Sequence, residues 1–419
     1  MTTRAGKSAT IDEAIAALPV SGRIYAAAAS GTPLGLLDSI AEKRDRFADI
    51  EFVCAYLIGR PKILDHLGEP FMWRSMQPSA ATRDVSDHPS FANIPGRYSD
   101  LDGITSPTGA LPVDALIVQV SPPDNAGRMS LGTSVGGSVD LLETAPLVIG
   151  QVNPNMPYVF GDGETTRTAF DLLVEIDEPL SVLSAAQRDE TSTTIASHVI
   201  PFIRDEATLQ FGIGAIPDAV LSALTGHSNL GLHGGMINDA CIGLIESGVV
   251  TNTHKGIDDG VSVAAEIMGS AELYAWCDRN PLVRTVRGRH SHGISGISQL
   301  KNFVALQSTV EVALDGSANS EFAAGRIISG PGGAPDFAFG ASISTGGRGI
   351  MALPSTAARG TISRIVRQVA AGAPTTLSSY LADVVATEFG AVELRGRSVA
   401  ERVQLLTSIA HPDHRPALT

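Results

Sequence analysis

Apolar runs in the first half of the chain alternate with segments of helical spacing. The run from Ile24 to Ala28 is typical of a buried strand, and the following TPLGLLDSIAEKR has apolar residues at helical intervals. Two later segments, DALIVQVSPPD at 114–124 and APLVIGQVNPNMP at 145–157, again predict buried strands. Strands that alternate with helices favour mostly parallel sheets covered on both faces, so we predict an α/β fold.

The pattern changes around residues 177–209. DEPLSVLSAAQRDETSTTIASHVIPFI is first polar and then helical, which is typical of a connection into a second unit. The next segment, ATLQFGIGAIPDAVLSALTGHSNLGLHGGM, predicts strand, glycine turn, helix and strand. Because 419 residues are many for one hydrophobic core, we predict two similar α/β domains, 1–190 and 191–419.

Composition and charge argue against several classes of function. Hydrophobic residues make up 43% and charged residues 18%, as in ordinary soluble proteins. The net charge is −14 without a basic stripe, so no nucleic-acid partner is expected. No apolar run approaches the ~18 residues that span a bilayer, and the N-terminal sequence lacks the pattern of a secretory signal. Three scattered cysteines do not predict a disulfide framework, so we expect a reducing cytoplasm.

Two glycine-rich stretches are candidates for ligand loops. Gly212 and Gly214 lie between a predicted strand and helix, where backbone N–H groups suit phosphate or carbonyl oxygens; a plain structural turn is the competing interpretation. The full GxGxxG fingerprint is absent, because Pro217 stands at its third glycine. SGPGGAPDF at 329–337 could direct amides at one point and hold an oxyanion, or could simply connect two strands.

His290 and His292 lie in RGRHSHG at 287–293. If this segment is extended, both side chains point to one face, because side chains alternate along a strand. They could then form a metal pair, an acid/base pair or a surface feature. No third ligand stands at zinc-like spacing, so we do not expect a metal.

The stretch LGLHGGMINDACIGLIESGVVTN, residues 230–252, predicts a strand and then a helix. Gly234 and Gly235 either serve the backbone or mark the place of a missing reactive side chain. Asp239 lies near the start of the predicted helix and could cap it, and Glu246 could be a solvated residue on its far face. No glutamate or serine adjoins the glycine pair as an obvious nucleophile.

A series of phrases covers nearly the whole chain. In the first half these are ANIPGRYSD, ALIVQVSPPDNAGRMSLGTSV and QVNPNMPYVFGDG. In the second half they are LQFGIGAIPDAV, LIESGVVTN, GSAELYAW, VALQSTVEVALDG, ISGPGGAPDFAFGA, TEFGAVELRGRS and IAHPDHR. Together they resemble the acetyl-CoA hydrolase/CoA-transferase family, which includes 4-hydroxybutyrate CoA-transferase. The resemblance implies two α/β domains with the active site in the cleft between them, and CoA transfer through an enzyme-bound glutamyl-CoA thioester.

The resemblance also implies roles for individual residues. The family's CoA-contacting segment corresponds to Gln210, Phe211, Gly212, Ile213 and Gly214. Val310, in STVEV, corresponds to another CoA-contacting position. Gly333 corresponds to the glycine whose amide helps to form the oxyanion hole. Coenzyme A is therefore expected as part of an acyl-CoA substrate, and no metal is expected.

Two positions depart from the family pattern. At the first, members of the family usually have the phrase His-Thr-Glu-Met, whose glutamate carries the CoA. This chain has His233, Gly234, Gly235 and Met236 instead, so Gly235 stands at the position of the nucleophile. Glycine has no side chain to acylate, so the usual cycle cannot pass through it. The family's usual asparagine near the thioester oxyanion corresponds here to His292. The candidate catalytic positions are therefore His292, His290, Gly333, Gly235 and Asp239.

Three functions are compatible with these departures. The first is hydrolysis or carbon–carbon cleavage of a CoA thioester with His292 or His290 as general base, since the ordinary imidazole pKa of about 6.5 suits that role. The second is CoA transfer by direct attack of the acceptor acid or by another carboxylate, with Glu246, Glu311 and Glu321 as candidates. The third is non-catalytic acyl-CoA binding. We expect an acyl-CoA ligand, no nucleic-acid or membrane partner, and a homo-oligomer, most simply a dimer.

Overall fold

The computed structural model describes residues 3–418, which divide into two compact units. The first unit extends to Ser184 and also includes Val263–Ser291, and the second comprises Ala185–Ser262 and the chain from His292 onward. The chain first passes from the first unit to the second between Ser184 and Ala185, and the predicted boundary was near residue 190. The return of Val263–Ser291 to the first unit was not predicted, because a change of unit leaves no trace in local apolar spacing.

The helices are short, and most follow a strand directly. Their bounds are α1 Ile11–Ala17, α2 Leu34–Glu42, α3 Leu101–Thr105, α4 Val139–Thr144, α5 Glu190–Val199, α6 Ala215–Ala223, α7 Ala240–Glu246, α8 Ala271–Cys277, α9 Gly288–Ser291, α10 Ile294–Ile297, α11 Ala334–Ile343 and α12 Val399–Ile409.

The strands include long buried ones and several two-residue pairs. Their bounds are β1 Lys7–Ser8, β2 Ser21–Ala26, β3 Asp49–Tyr56, β4 Phe71–Gln77, β5 Phe91–Asn93, β6 Ala115–Val120, β7 Arg128–Ser130, β8 Leu147–Val152, β9 Phe160–Gly161, β10 Glu164–Thr166, β11 Leu172–Glu175, β12 Thr208–Phe211, β13 Gly231–Ile237, β14 Ser262–Ile267, β15 Val283–Thr285, β16 Phe303–Ser308, β17 Glu311–Ala313, β18 Ala318–Asn319, β19 Phe322–Ala323, β20 Arg326–Ile327, β21 Arg348–Ala352, β22 Thr356–Ala357, β23 Ile362–Ser363, β24 Ile365–Val366, β25 Val384–Thr387 and β26 Gly390–Glu393.

The main sheet of the first unit is parallel throughout. Its strand order is β1-β11-β8-β6-β2-β3-β4-β5, and every neighbouring pair is parallel. The predicted strands around Ile24, at 114–124 and at 145–157 are β2, β6 and β8 in this sheet. They are mostly buried and rich in apolar residues because a parallel sheet is covered on both faces.

The second unit has the same kind of sheet. Its strands follow the order β26-β25-β21-β16-β12-β13, in which only the β25–β26 pair at the edge is antiparallel. The segment 207–236 forms β12, α6 and β13, as its spacing predicted. The predicted α/β fold class with mostly parallel sheets is therefore confirmed in both units.

Aromatic side chains are few but concentrated in the cores. In the first unit Phe52 stacks on Trp73 and meets Phe71 edge-on, each with ring centroids 5.6 Å apart. In the second unit Phe303 and Phe337 belong to one buried cluster with Ile297. Burying a side chain of this size contributes roughly 1.5–3 kcal/mol to folding, so these contacts fix where β16 and α11 lie against each other.

The cysteines and the lengths of the helices bear on two further expectations from the sequence. All three cysteines are buried and free of disulfide bonds. Within residues 3–418, no helix has both the length and the apolar character that crossing a membrane requires.

Glu266 is a buried carboxyl group in the first unit. It is 5% exposed, its Oε1 accepts a 2.6 Å hydrogen bond from the Tyr98 hydroxyl, and burial raises its pKa to about 7. The folded state therefore holds a proton that the unfolded chain, with an ordinary pKa of 4.5, releases earlier. The resulting stabilisation is complete below pH 4.5 and is lost as the pH rises through about 7, at ~1.4 kcal/mol per pKa unit.

We expect Glu266→Gln to flatten this part of the stability profile, because glutamine stays neutral and still accepts from Tyr98. The free energy of unfolding, measured in urea at pH 5 and pH 8, should fall less with pH in the variant than in the wild type. Glu143→Gln, at an exposed position of the same unit, is the control. Identical slopes for the wild type and Glu266→Gln would contradict the assignment.

Candidate active site

The glycine loop at 212–214 leads from β12 into α6. Gly214 has φ +141°, a conformation that side chains rarely adopt, and it occupies the N-cap position of α6. Ile213 is 45% exposed, so the loop is open to a ligand on this side. The loop therefore presents backbone and the positive end of a helix to solvent, which suits a phosphate or carbonyl oxygen.

Gln210 and Phe211 precede this loop and are buried. The Nε2 of Gln307, on the neighbouring strand β16, donates a 2.5 Å hydrogen bond to the Oε1 of Gln210. A Cβ atom at Gly234 would lie 2.9 Å from the Cγ of Gln210. Packing therefore requires glycine at position 234, because only a residue without a side chain leaves room for Gln210.

Gly235 has a different environment. It is half-buried, and a Cβ atom there would lie 3.2 Å from the Nε2 of His292 and 3.6 Å from the Cε2 of Phe337. The His292 imidazole thus lies beside the position from which a side chain at residue 235 would start. Gly234 therefore makes room for Gln210, whereas Gly235 borders the imidazole of His292.

His292 is 2% exposed and packs against Phe337, with ring centroids 4.5 Å apart. Phe337 is held by the buried cluster that includes Phe303, so the imidazole rests on a rigid surface. The expectation that His290 and His292 share one face of a strand is wrong, because residues 288–291 form the short helix α9 and His292 follows it. His290 is half-buried and belongs to the first unit, whereas His292 begins the second.

Gly333 also borders the rings of His292 and Phe337. A Cβ atom there would lie 2.5 Å from both the Cδ2 of His292 and the Cε2 of Phe337, closer than real side chains approach. Gly333 is the N-cap residue of α11, and within residues 3–418 no backbone carbonyl accepts a hydrogen bond from its N–H. A half-buried N–H at a helix N-terminus can stabilise a developing negative charge on oxygen.

The remaining predicted residues are Val310, Asp239 and Glu246. Val310 is half-buried just after β16, and its N–H donates to the carbonyl oxygen of Asn319 at 2.8 Å. Asp239 occupies the N-cap position of α7, but its side chain makes no capping hydrogen bond, so the expected capping interaction is wrong. Glu246, at the end of α7, is exposed as predicted.

The other candidate carboxylates have structural partners. Glu311 is half-buried and its Oε1 accepts from the Nδ2 of Asn319 at 3.1 Å and from the N–H of Ala370 at 2.7 Å. Glu321 is buried, its Oε1 accepts a 2.7 Å hydrogen bond from the Thr376 hydroxyl, and burial raises its pKa.

Sequence reasoning missed three residues near the glycine pair. Phe337 and Gln307 lie within phrases that carry the family resemblance, but the sequence predicted no role for either side chain. Lys255 is fully buried; its Nζ donates to the carbonyl oxygens of Leu232 and Val261 at 3.1 and 2.7 Å, and burial lowers its pKa to about 8. The one sequence signal for Lys255 was the glycine at position 231. In the structure, a Cβ atom at Gly231 would lie 2.6 Å from the Cγ of Lys255.

Within residues 3–418, no group of three or more histidine, cysteine, aspartate or glutamate side chains is arranged to hold an ion. The described neighbours of His292 are the Phe337 ring and the backbone at Gly235 and Gly333.

Comparison with known proteins agrees with this fold. Two family models match, the acetyl-CoA hydrolase/transferase N-terminal domain at residues 4–183 and the C-terminal domain at residues 269–419. The 4-hydroxybutyrate coenzyme A transferase of Clostridium kluyveri is 34% identical over 98% of this chain and 96% of its own length. The acetyl-CoA hydrolase of Eremothecium gossypii is 28% identical over 73% of this chain and 65% of its own length.

A solved structure is similar over the same extent. RipA from Yersinia pestis superposes with a TM-score of 0.93 at 30% identity, covering 98% of this chain and 96% of that one. The matches run through both units and include transferases as well as hydrolases by name. The chain belongs to the acetyl-CoA hydrolase/transferase family.

Proposed function

We propose that this protein hydrolyses a CoA thioester, or cleaves a carbon–carbon bond in the acyl group of one, with His292 as general base. The observation that carries the proposal is the contact at residue 235, where glycine offers no atom for a covalent acyl carrier and the Nε2 of His292 lies 3.2 Å from the place of a Cβ atom. An imidazole at this position can activate water where a glutamate would otherwise form a thioester.

The hydrolytic step follows from the groups around His292. The imidazole takes a proton from water, and the water oxygen attacks the thioester carbonyl carbon. The N–H of Gly333 donates to the resulting oxyanion, an interaction of about 3–4 kcal/mol in comparable sites. The carbon–sulfur bond then breaks, the imidazolium returns the proton to the leaving thiolate, and a carboxylic acid and free CoA result.

We place the CoA part of the substrate in the same unit. The loop from Gln210 to Gly214 presents backbone and the start of α6, and Val310 lies just after the neighbouring strand β16. We assign these residues to CoA binding because their phrases match the family's CoA-contacting segments. Phe337 adds an apolar wall beside His292 that helps to exclude bulk water.

One assay tests this function against the two alternatives. Acetyl-, butyryl-, acetoacetyl- and 4-hydroxybutyryl-CoA are each incubated with the protein, with and without acetate. Free CoA, new acyl-CoA and the mass of the intact protein are then followed. We expect free CoA to form without acetate, with no CoA adduct on the protein.

The other outcomes identify the alternatives. A CoA adduct that borohydride reduces, together with acetate-dependent exchange, would show CoA transfer through a carboxylate and defeat the proposal. New acyl-CoA formed only with acetate, without an adduct, would show direct attack by the acceptor acid. Tight binding without turnover of any thioester would leave a non-catalytic acyl-CoA binder.

A further inference from the structure

Arg287 lies immediately before α9 and bridges two carboxylates of the first unit. Its Nη1 is 2.5 Å from the Oδ1 of Asp140, on α4, and its Nε is 3.2 Å from the Oδ2 of Asp162, between β9 and β10. Its backbone N–H also donates to the Oδ2 of Asp162 at 3.0 Å. A planar guanidinium held by two carboxylates on different elements has much less freedom than one in a single ion pair.

The backbone of Arg287 holds α9 in turn. Its carbonyl oxygen accepts from the N–H groups of His290 and Ser291 at 2.9 and 3.2 Å. The N–H of Gly288 donates to the carbonyl oxygen of Gly136 at 2.8 Å, and a Cβ atom at Gly288 would lie 3.1 Å from that same oxygen. The segment that carries His290 and leads in the chain to His292 is therefore tied to the first unit through residues 287 and 288.

The charges around this anchor favour the ion pair. Asp102 lies next to Asp140, and burial, reinforced by the negative charge of Asp140, raises the pKa of Asp102 to about 7. Below that pH Asp102 keeps its proton and so adds no negative charge beside the contact of Asp140 with Arg287. The Nη2 of Arg289 also lies 3.2 Å from the Oδ1 of Asp140.

From these contacts we infer that Arg287 is a positioning residue for the histidine-bearing segment 288–292. Its effect on rate rests on the proposed function, because a histidine of this segment must act on the thioester for the position to matter. A misplacement of about 1 Å can cost ~100-fold in rate, so loss of the anchor should affect turnover more than binding.

The anchor can be tested without a substrate. In the full-length protein, Arg287→Gln should speed backbone hydrogen exchange in a peptide spanning 288–293 by about tenfold or more, since local opening governs exchange. Arg287→Lys, which keeps the charge but cannot bridge both carboxylates, should give an intermediate rate. Arg23→Gln is the control, because it removes a comparable 2.5 Å pair with Glu51 in the same unit.

Hydrolysis of the preferred thioester gives the second measurement. We expect Arg287→Gln to lower kcat roughly 10- to 100-fold with little change in KM, since CoA contacts lie elsewhere. Unchanged exchange in 288–293 would overturn the anchor, and faster exchange with an unchanged kcat would overturn the positioning role. Faster exchange in a protein whose wild type hydrolyses no thioester would support the anchor and defeat the proposed function instead.

Discussion

Replacing His292 with glutamine should lower the rate of thioester hydrolysis about 100- to 10,000-fold, the usual contribution of a general base. Glutamine keeps a polar group beside Gly235 but cannot take a proton from water at neutral pH. Affinity for CoA should change only slightly, because the loop from Gln210 to Gly214 does not depend on the imidazole. Steady-state release of free CoA and equilibrium CoA binding are the two measurements.

His290→Gln is the matched control for this prediction. His290 is half-buried on α9, and the same substitution there should leave most of the hydrolytic rate. The melting temperature of both variants has to be compared, because His292 also packs against Phe337. A full loss in His290→Gln with a normal rate in His292→Gln would assign the base to the other histidine.

Gly333→Ala should be almost as damaging, although it adds a single methyl group. The new Cβ atom would lie 2.5 Å from both the His292 and the Phe337 ring, so the imidazole must shift. Overpacking of this kind costs about 1–3 kcal/mol of stability, and displacement of a catalytic group can cost ~100-fold in rate. Urea unfolding and the hydrolysis assay measure the two effects separately.

Gly243→Ala provides the control for adding a methyl group. Gly243 lies within α7, where a Cβ atom would meet no heavy atom within 4 Å. Alanine there should stabilise the protein by about 0.5–1 kcal/mol without changing the hydrolytic rate. Normal turnover in Gly333→Ala would show that Gly333 does not border the reacting group.

Much of the fold could be predicted from local pattern. Buried parallel strands are rich in apolar residues on both faces, and β6 and β8 were recognisable for that reason. The β12–α6–β13 segment was equally readable, since its glycine pair separates a strand from a helix. The return of Val263–Ser291 to the first unit was not, because it depends on contacts between distant parts of the chain.

The helical conformation of residues 288–291 was also beyond local pattern. RGRHSHG is too short and too polar to show a periodicity, and Arg287, directly before its helix, pairs with the distant Asp140 and Asp162. Local spacing reports which face of an element is buried, but it does not report which distant carboxylate lies within reach.

The sequence by itself determined that position 235 has no side chain to acylate, and that the chain keeps the phrases of a CoA-handling family. Those statements follow from covalent structure and need no fold. Only the tertiary structure decided that Gly234 makes room for Gln210, and that Gly235 and Gly333 both border the imidazole of His292. Close packing decides such contacts, because whether two residues far apart in the chain touch depends on the shapes of all the side chains buried around them.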